Sequence, residues 1–291
     1  MHSSLVSSRT DHRDTLLCLH CSASSGRQWD RFAEALVADC DVLAPDLLGY
    51  GSEGGWPGGA VTLAGEADAL IALLDARDAA VHVLGHSYGG AVALEVAMRR
   101  PDLVKSLAVF EPVRLALLRG ASEAGGDDPG ARDASREMAY FAVVVQADVA
   151  AGALAAAAER FIDFWSTPGT WAQMSVSRRD AVAAAMVKVG AEFDAIFADA
   201  TRRADYRRLT MPTLLLGGSL SPAPMAVVLD RLHAMLPTAD RMRLEGVGHM
   251  GPVQAPARLA SLMRGFIAGV RAADLAFLSA SSPRPPLRLA A

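Results

Sequence analysis

The sequence predicts an α/β fold: a mostly parallel central sheet flanked by helices, with a helical cap inserted between two strands. Three observations carry this expectation. Short apolar runs alternate with amphipathic stretches from residue 15 to residue 110, the signature of repeated strand–helix units. From residue 113 to about residue 208 strand character disappears and alanine-rich helical patterns replace it. Strand character returns at residue 212 and the alternation resumes.

Taken in order, "TLLCLH" (15–20) reads as a buried strand and "GRQWDRFAEALVA" (26–38) as an amphipathic helix. "DVLAPD" (41–46) is a second strand, and residues 62–76 place Leu63, Ala67, Leu70, Ile71 and Leu74 near helical spacing. "AVHVLGH" (80–86) is a third strand, followed by a helix over 88–100 that stops before Pro101. "LVKSLAVF" (103–110) is the fourth strand. Beyond the insertion come a strand at 212–218, a helix near 223–236, a strand at 241–246 and a helix at 255–272. The glycine-rich stretch 120–133 is expected to be a mobile loop, and 279–291 a disordered or polyproline tail. The domain division is therefore a core of 1–112 and 209–278 with a helical cap of 113–208. Few residues precede the first strand, so a reduced sheet is expected at that edge.

The gross properties exclude several classes. A chain that is 52% hydrophobic and 21% charged folds around a substantial core. A net charge of -4 offers no electrostatic reason to bind nucleic acid, and no apolar run is long enough to span a membrane. The polar N-terminus has no secretory pattern, and Cys18, Cys21 and Cys40 lack metal-type or disulfide-framework spacing. Reduced thiols and a cytoplasmic location are expected. No phosphate-binding glycine loop, metal-ligand cluster or dinucleotide fingerprint is present, so no cofactor and no metal are expected.

The sharpest motif is "GHSYG", residues 85–89, between a strand and a helix. A serine in so tight a turn projects its hydroxyl above the sheet, and side chains two positions either side would collide, so glycine stands at both. Ser87 is the expected nucleophile. A serine hydroxyl needs a base beside it, and His249, in the glycine-rich "GVGHMG" after the last strand, is the candidate.

With these motifs the chain resembles the α/β-hydrolase superfamily from about residue 15 to residue 272. "LHCSASSGRQW" stands where that family has its His-Gly loop, "PDLLGYGSE" resembles its Asp-x-x-Gly-x-Gly-x-Ser loop, and the insertion corresponds to its cap. The resemblance implies oxyanion-hole amides at Ser22 and Tyr88, with Cys21 replacing the usual glycine. It places the triad acid after the strand "PTLLLGG", but Ser221 occupies that position and no carboxylate lies between Asp205 and Asp230. Some relatives carry the acid where "LAVFEPV" ends its strand, which makes Glu111 the candidate. Alternatives are a Glu111 that caps its loop or pairs with Arg114, a dyad without an acid, and Asp230 reaching in.

Phe141, Phe161 and Trp165 are candidates for lining an acyl pocket under the cap, against the plainer reading of apolar packing. The four arginines of "RRADYRR" (202–208) read as a solvated face. Together these features imply a cofactor-independent serine hydrolase that cleaves an ester or related small-molecule acyl substrate through an acyl-enzyme. Thioesterase and C–C bond hydrolase chemistry fit the same triad, and a non-catalytic ligand sensor is the rival from another class. Epoxide hydrolase and dehalogenase chemistry are disfavoured, because relatives that perform them have an aspartate where Ser87 stands. Substrate identity and oligomeric state are not legible in the sequence.

Overall fold

The computed structural model describes residues 13–279 apart from 54, 57, 78 and 120–127. Six strands, β1 (Thr15–Leu19), β2 (Asp41–Leu43), β3 (Val81–His86), β4 (Val104–Phe110), β5 (Thr213–Gly218) and β6 (Ala239–Leu244), form one sheet in the order β2-β1-β3-β4-β5-β6. Every pairing is parallel. Among the described residues the sheet ends at β2 on one edge. The chain runs outward from β1 to β2 and then returns to β3, so the strand order reverses between β1 and β3. In open α/β sheets the crevice at such a reversal, outside the carboxyl ends of the strands, is where ligands bind. The loops leaving β1 and β3 carry Ser22 and Ser87.

Alternate residues of each central strand face opposite helical layers, as the two-residue repeat requires. Leu16, Cys18, Leu84, Ala108, Phe110, Leu214 and Leu216 pack with Trp29, with Phe32 and Leu36 of α1 (Asp30–Leu36), and with Leu259, Met263 and Phe266 of α11 (Pro256–Ser279). Leu17, Leu19, Val83, Leu107, Val109 and Leu215 face the other layer, built from α2 (Leu63–Asp75), α3 (Tyr88–Arg99) and α9 (Ala223–Met235). All six residues of β3 are buried, His82 and His86 included.

Between β4 and β5 the described chain is wholly helical: α4 (Pro129–Ala150), α5 (Leu154–Trp165), the single turn α6 (Thr170–Gln173), α7 (Val176–Ala198) and α8 (Arg203–Arg207). Asp128 starts α4 by accepting the Ala131 amide at 3.0 Å, with Pro129 in the first turn. Residues 129–133, expected in a loop, are therefore helical, and residues 120–127 lie outside the described residues. Where the chain leaves the core, buried Arg114 donates to Asp199, near the point of return, at 2.7 Å and to Glu95 at 3.2 Å. This ties the two ends of the insertion to α3.

Three element boundaries differ from the sequence reading. β2 stops at Leu43 because Asp46 is used in a loop, where it accepts from the Gly26 and Ser52 amides at 2.7 Å each. β6 runs over 239–244 rather than 241–246, and α11 continues to Ser279 because helix-forming residues predominate in "RAADLAFL" (271–278). Residues 280–291, the rest of the expected tail, lie outside the described residues.

Candidate active site

Ser87 sits at the turn from β3 into α3 with φ of 55°, a left-handed backbone for a residue that has a Cβ. Such strain costs on the order of 1–3 kcal/mol and persists only where the surroundings enforce it. Here they do. The Ser87 amide donates to the Phe110 carbonyl at 2.9 Å, and its carbonyl accepts from Ala91 at 3.0 Å and Val113 at 3.2 Å. A Cβ on Gly85 would stand 2.4 Å from the Gly89 carbonyl oxygen, and one on Gly89 would stand 2.4 Å from those of Leu19 and His20. Both motif glycines are thus sterically required, and the first turn of α3 presses against the end of β1. Tyr88 is the first residue of that helix, and its amide belongs to the turn that has no carbonyl partner four residues back.

Glu111 follows β4, also with positive φ (45°), and is 1% exposed. Its Oε1 accepts the Gly218 amide at 2.7 Å, and its Oε2 lies 2.7 Å from His249 Nδ1. An ionised carboxylate only accepts, so Nδ1 carries the proton and Nε2 is free to accept. The Ser87 hydroxyl lies 3.0 Å from that Nε2. The alternatives for Glu111 find other partners: Arg114 pairs with Asp199 and Glu95, and Asp230 pairs with Arg241. The β5 loop, which lacks an acid, contributes instead the Gly218 amide that holds one. The Trp165 ring covers His249 at a centroid distance of 4.2 Å.

Two buried histidines hold the loop after β1. His20 Nδ1–H donates to the Cys21 carbonyl at 2.8 Å, while its Nε2 accepts the Leu47 amide at 2.9 Å. Burial, opposed by the Cys21 bond, holds its pKa down at about 4, and accepting at Nε2 requires the neutral ring. A relay then crosses the site. The Cys21 amide donates to Gln28 Oε1 at 3.2 Å, Gln28 Nε2 donates to His86 Nδ1 at 3.1 Å, and His86 Nε2–H donates to the His249 carbonyl at 2.9 Å. Burial first, and then the neighbouring His249, push His86 well below the ordinary histidine value. Cys21 is buried and its thiol is pushed up to about 12 by burial, so it serves as a small apolar side chain.

A second buried polar group was not legible in the sequence. Lys188 of α7, 1% exposed, donates to Glu66 of α2 at 2.7 Å and lies 3.2 Å from Glu192. Its ammonium sits 3.9 Å above the Tyr50 ring. Glu192 accepts the Ser22 hydroxyl at 2.5 Å and the Tyr50 hydroxyl at 2.8 Å, and Tyr88 donates to Glu66 at 3.3 Å. Burial raises the Glu192 pKa to about 6 against the pull of Lys188. The network joins the helical insertion to the loop of Ser22 and to the residue after Ser87. The available signal was a lysine, one of only two in the chain, four positions before a glutamate on a largely apolar helix. That spacing is normally read as a surface ion pair.

Two cavities meet at Ser87. An open one of about 850 Å³ is lined by Ser22, Ser87, His249, Met250, Met174 and Arg178, among others. A slot of about 20 Å³ lies beside it, walled by Val113, Val189, Glu192, Phe193 and Ile196. Phe161 and Trp165 line both. Phe141 lines neither: it stacks on Phe164 at 4.0 Å and edges Trp165 at 6.0 Å, supporting the pocket aromatics from behind. It sits on α4, against the aromatics of α5. The arginines of 202–208 stand away from both cavities, with Arg202 and Arg208 paired to Asp205. Among the described residues no helix is long and apolar enough to cross a membrane. Nor is any cluster of three His, Cys, Asp or Glu side chains placed to hold a metal ion.

A parallel sheet with a serine on the turn after β3 and a histidine loop after β6 defines a hydrolase of the α/β class. The chain belongs to the alpha/beta hydrolase family, whose model matches residues 16–262. It is 42% identical over 99 residues to lipase LipV of Mycobacterium tuberculosis, a stretch covering 33% of this chain and 36% of that one. It is 30% identical over 115 residues to a haloalkane dehalogenase of Bradyrhizobium diazoefficiens, covering 38% of this chain and 37% of the other. The chain thus spans a little over a third of the length of these curated relatives. Among solved structures, the enol-lactonase of Burkholderia xenovorans LB400 superposes with a TM-score of 0.70 at 17% identity, over 89% of this chain and 93% of that one. At that identity the likeness is one of fold.

Proposed function

We propose that the protein hydrolyses a carboxylic ester through an acyl-enzyme, with Ser87 as nucleophile, His249 as base and Glu111 as acid. The observation that carries this reading is the line from Ser87 Oγ to His249 Nε2 at 3.0 Å and from His249 Nδ1 to Glu111 at 2.7 Å. Ser87 Oγ attacks the carbonyl carbon as Nε2 takes its proton, and Glu111 stabilises the imidazolium and fixes the tautomer. The oxyanion is held by the amides of Tyr88 and Ser22. Nε2 then protonates the departing alcohol, and the same nitrogen activates water to release the acid and regenerate Ser87. Each step uses this chain's own side chains, backbone and water. The helices of 113–208 act as a cap that shields the site and shapes its substrate. The lipase among the relatives points to the same bond type.

The mutual alignment of hydroxyl, imidazole and carboxylate favours catalysis over a binding-only role, because ligand storage needs no such line. The test is turnover of p-nitrophenyl acetate by wild type and Ser87→Ala, with fluorophosphonate labelling alongside. Wild-type turnover and labelling, both lost in Ser87→Ala, are expected. Equal turnover by the two proteins would defeat the assignment.

A further inference from the structure

We propose that the enzyme is selective for short acyl groups over long ones, and tolerant of a large alcohol; this rests on the ester-hydrolase reading above. The two cavities at Ser87 differ in which catalytic group they contain. His249 lines the open cavity of about 850 Å³ and is not part of the wall of the slot of about 20 Å³. Nε2 must hand its proton to the departing oxygen, so the alcohol lies on the His249 side, in the open cavity. The remaining substituent of the tetrahedral carbon, the acyl chain, then points away from the imidazole and into the slot. The slot has less than a twentieth of the open cavity's volume, room for a short chain and not for an extended one.

Its walls cannot readily give way. Val189, Glu192, Phe193 and Ile196 are one face of α7 at helical spacing, each no more than 4% exposed. Phe193 is braced edge-on by Phe141 at 5.8 Å, and Val113 is held by its N–H, which donates to the Ser87 carbonyl at 3.2 Å. Glu192 is pinned by Ser22, Tyr50 and Lys188. A longer chain would have to displace packed side chains that already have their partners, which is costly in well-packed interiors.

The test holds the leaving group constant across p-nitrophenyl acetate, butyrate and octanoate, then holds the acetyl group constant across acetates of increasingly bulky alcohols. Wild-type kcat/KM should fall about 100-fold from acetate to octanoate, the order expected for forcing extra methylenes into a packed site. It should change far less across the acetates. Ile196→Ala should raise the octanoate-to-acetate ratio about 10-fold by opening one wall. Octanoate turned over as well as acetate, or a steep dependence on the alcohol with none on the acyl chain, overturns the proposal. In that case ester hydrolysis itself stands. If no ester is turned over and fluorophosphonate leaves Ser87 unlabelled, the hydrolase reading fails and takes this one with it.

Discussion

The Glu111 carboxylate meets His249 Nδ1 at 2.7 Å across 138 positions of sequence, while its other oxygen is held by the Gly218 amide. The Glu111 carboxylate is thus anchored by the strand whose own loop lacks one. Glu111→Gln preserves shape and the Gly218 bond but removes the charge that, in the proposed triad, stabilises the imidazolium. Turnover of p-nitrophenyl acetate should drop by about 10³–10⁴-fold, as for an acid working in the serine-triad manner. Thermal unfolding should stay close to wild type. Glu111→Asp keeps the charge with shorter reach and should retain partial activity; activity of Gln within a few-fold of wild type would place the acid elsewhere.

Gln28 joins the Ser22 loop to the histidine loop, because its two amide ends touch Cys21 and His86. Gln28→Ala leaves the Cys21 amide and the His86 ring without these partners. A lost partner for a buried polar group costs about 1–3 kcal/mol. If about 1.4 kcal/mol of this falls on the transition state, kcat drops about 10-fold with KM little changed. Steady-state kinetics on one ester settles the matter, and an unaltered kcat would remove Gln28 from any positioning role.

Lys188 is the buried cation between Glu66 and Glu192. Lys188→Met leaves two carboxylates unpaired in the interior, and removing one partner of a buried ion pair typically costs about 3–5 kcal/mol. Urea unfolding should show the loss as a lower midpoint. Adding Glu192→Gln, which removes one of the stranded charges, should recover part of it. A midpoint unchanged in Lys188→Met would mean the group is not the buried pair described above.

Two buried groups near Ser22 act on stability with opposite signs as pH falls. His20 titrates at about 4 in the folded protein against 6.5 unfolded, mainly through burial, so the unfolded chain binds the extra proton first. Its contribution is present above pH 6.5 and is lost as pH drops towards about 4, about 3 kcal/mol for the full interval. Glu192 is raised from 4.5 to about 6, again mainly by burial, so its contribution is present below 4.5 and is lost as pH rises through about 6. Between pH 6 and 4.5 it offsets part of the His20 loss. Glu192→Gln should therefore lose stability more steeply than wild type on acidification across that window, measured by denaturant unfolding at each pH. Parallel curves would contradict the assignment.

The geometry of the candidate triad was legible because it is written locally. The glycines at 85 and 89 announce a tight strand-to-helix turn, and a carboxylate directly after the apolar run of β4 marks Glu111. The position of His249 after the last strand completes the set. The buried network was not legible, because Lys188 and Glu192 at helical spacing read the same whether they face water or a neighbouring element. Phe141 was misplaced for a related reason: an aromatic on an amphipathic helix signals burial but not which layer it reaches.

Residue order alone determined the α/β alternation, the helical insertion and the three side chains of the proposed triad, since two- and 3.6-residue repeats and steric needs at single turns act over a few positions. Only the folded chain decided partners: Lys188 with Glu66 across 122 positions, Gln28 with His86 across 58, and a slot of about 20 Å³ beside the nucleophile. Such contacts depend on where whole helices come to rest against the sheet, and many registers of the same apolar pattern would satisfy burial equally well.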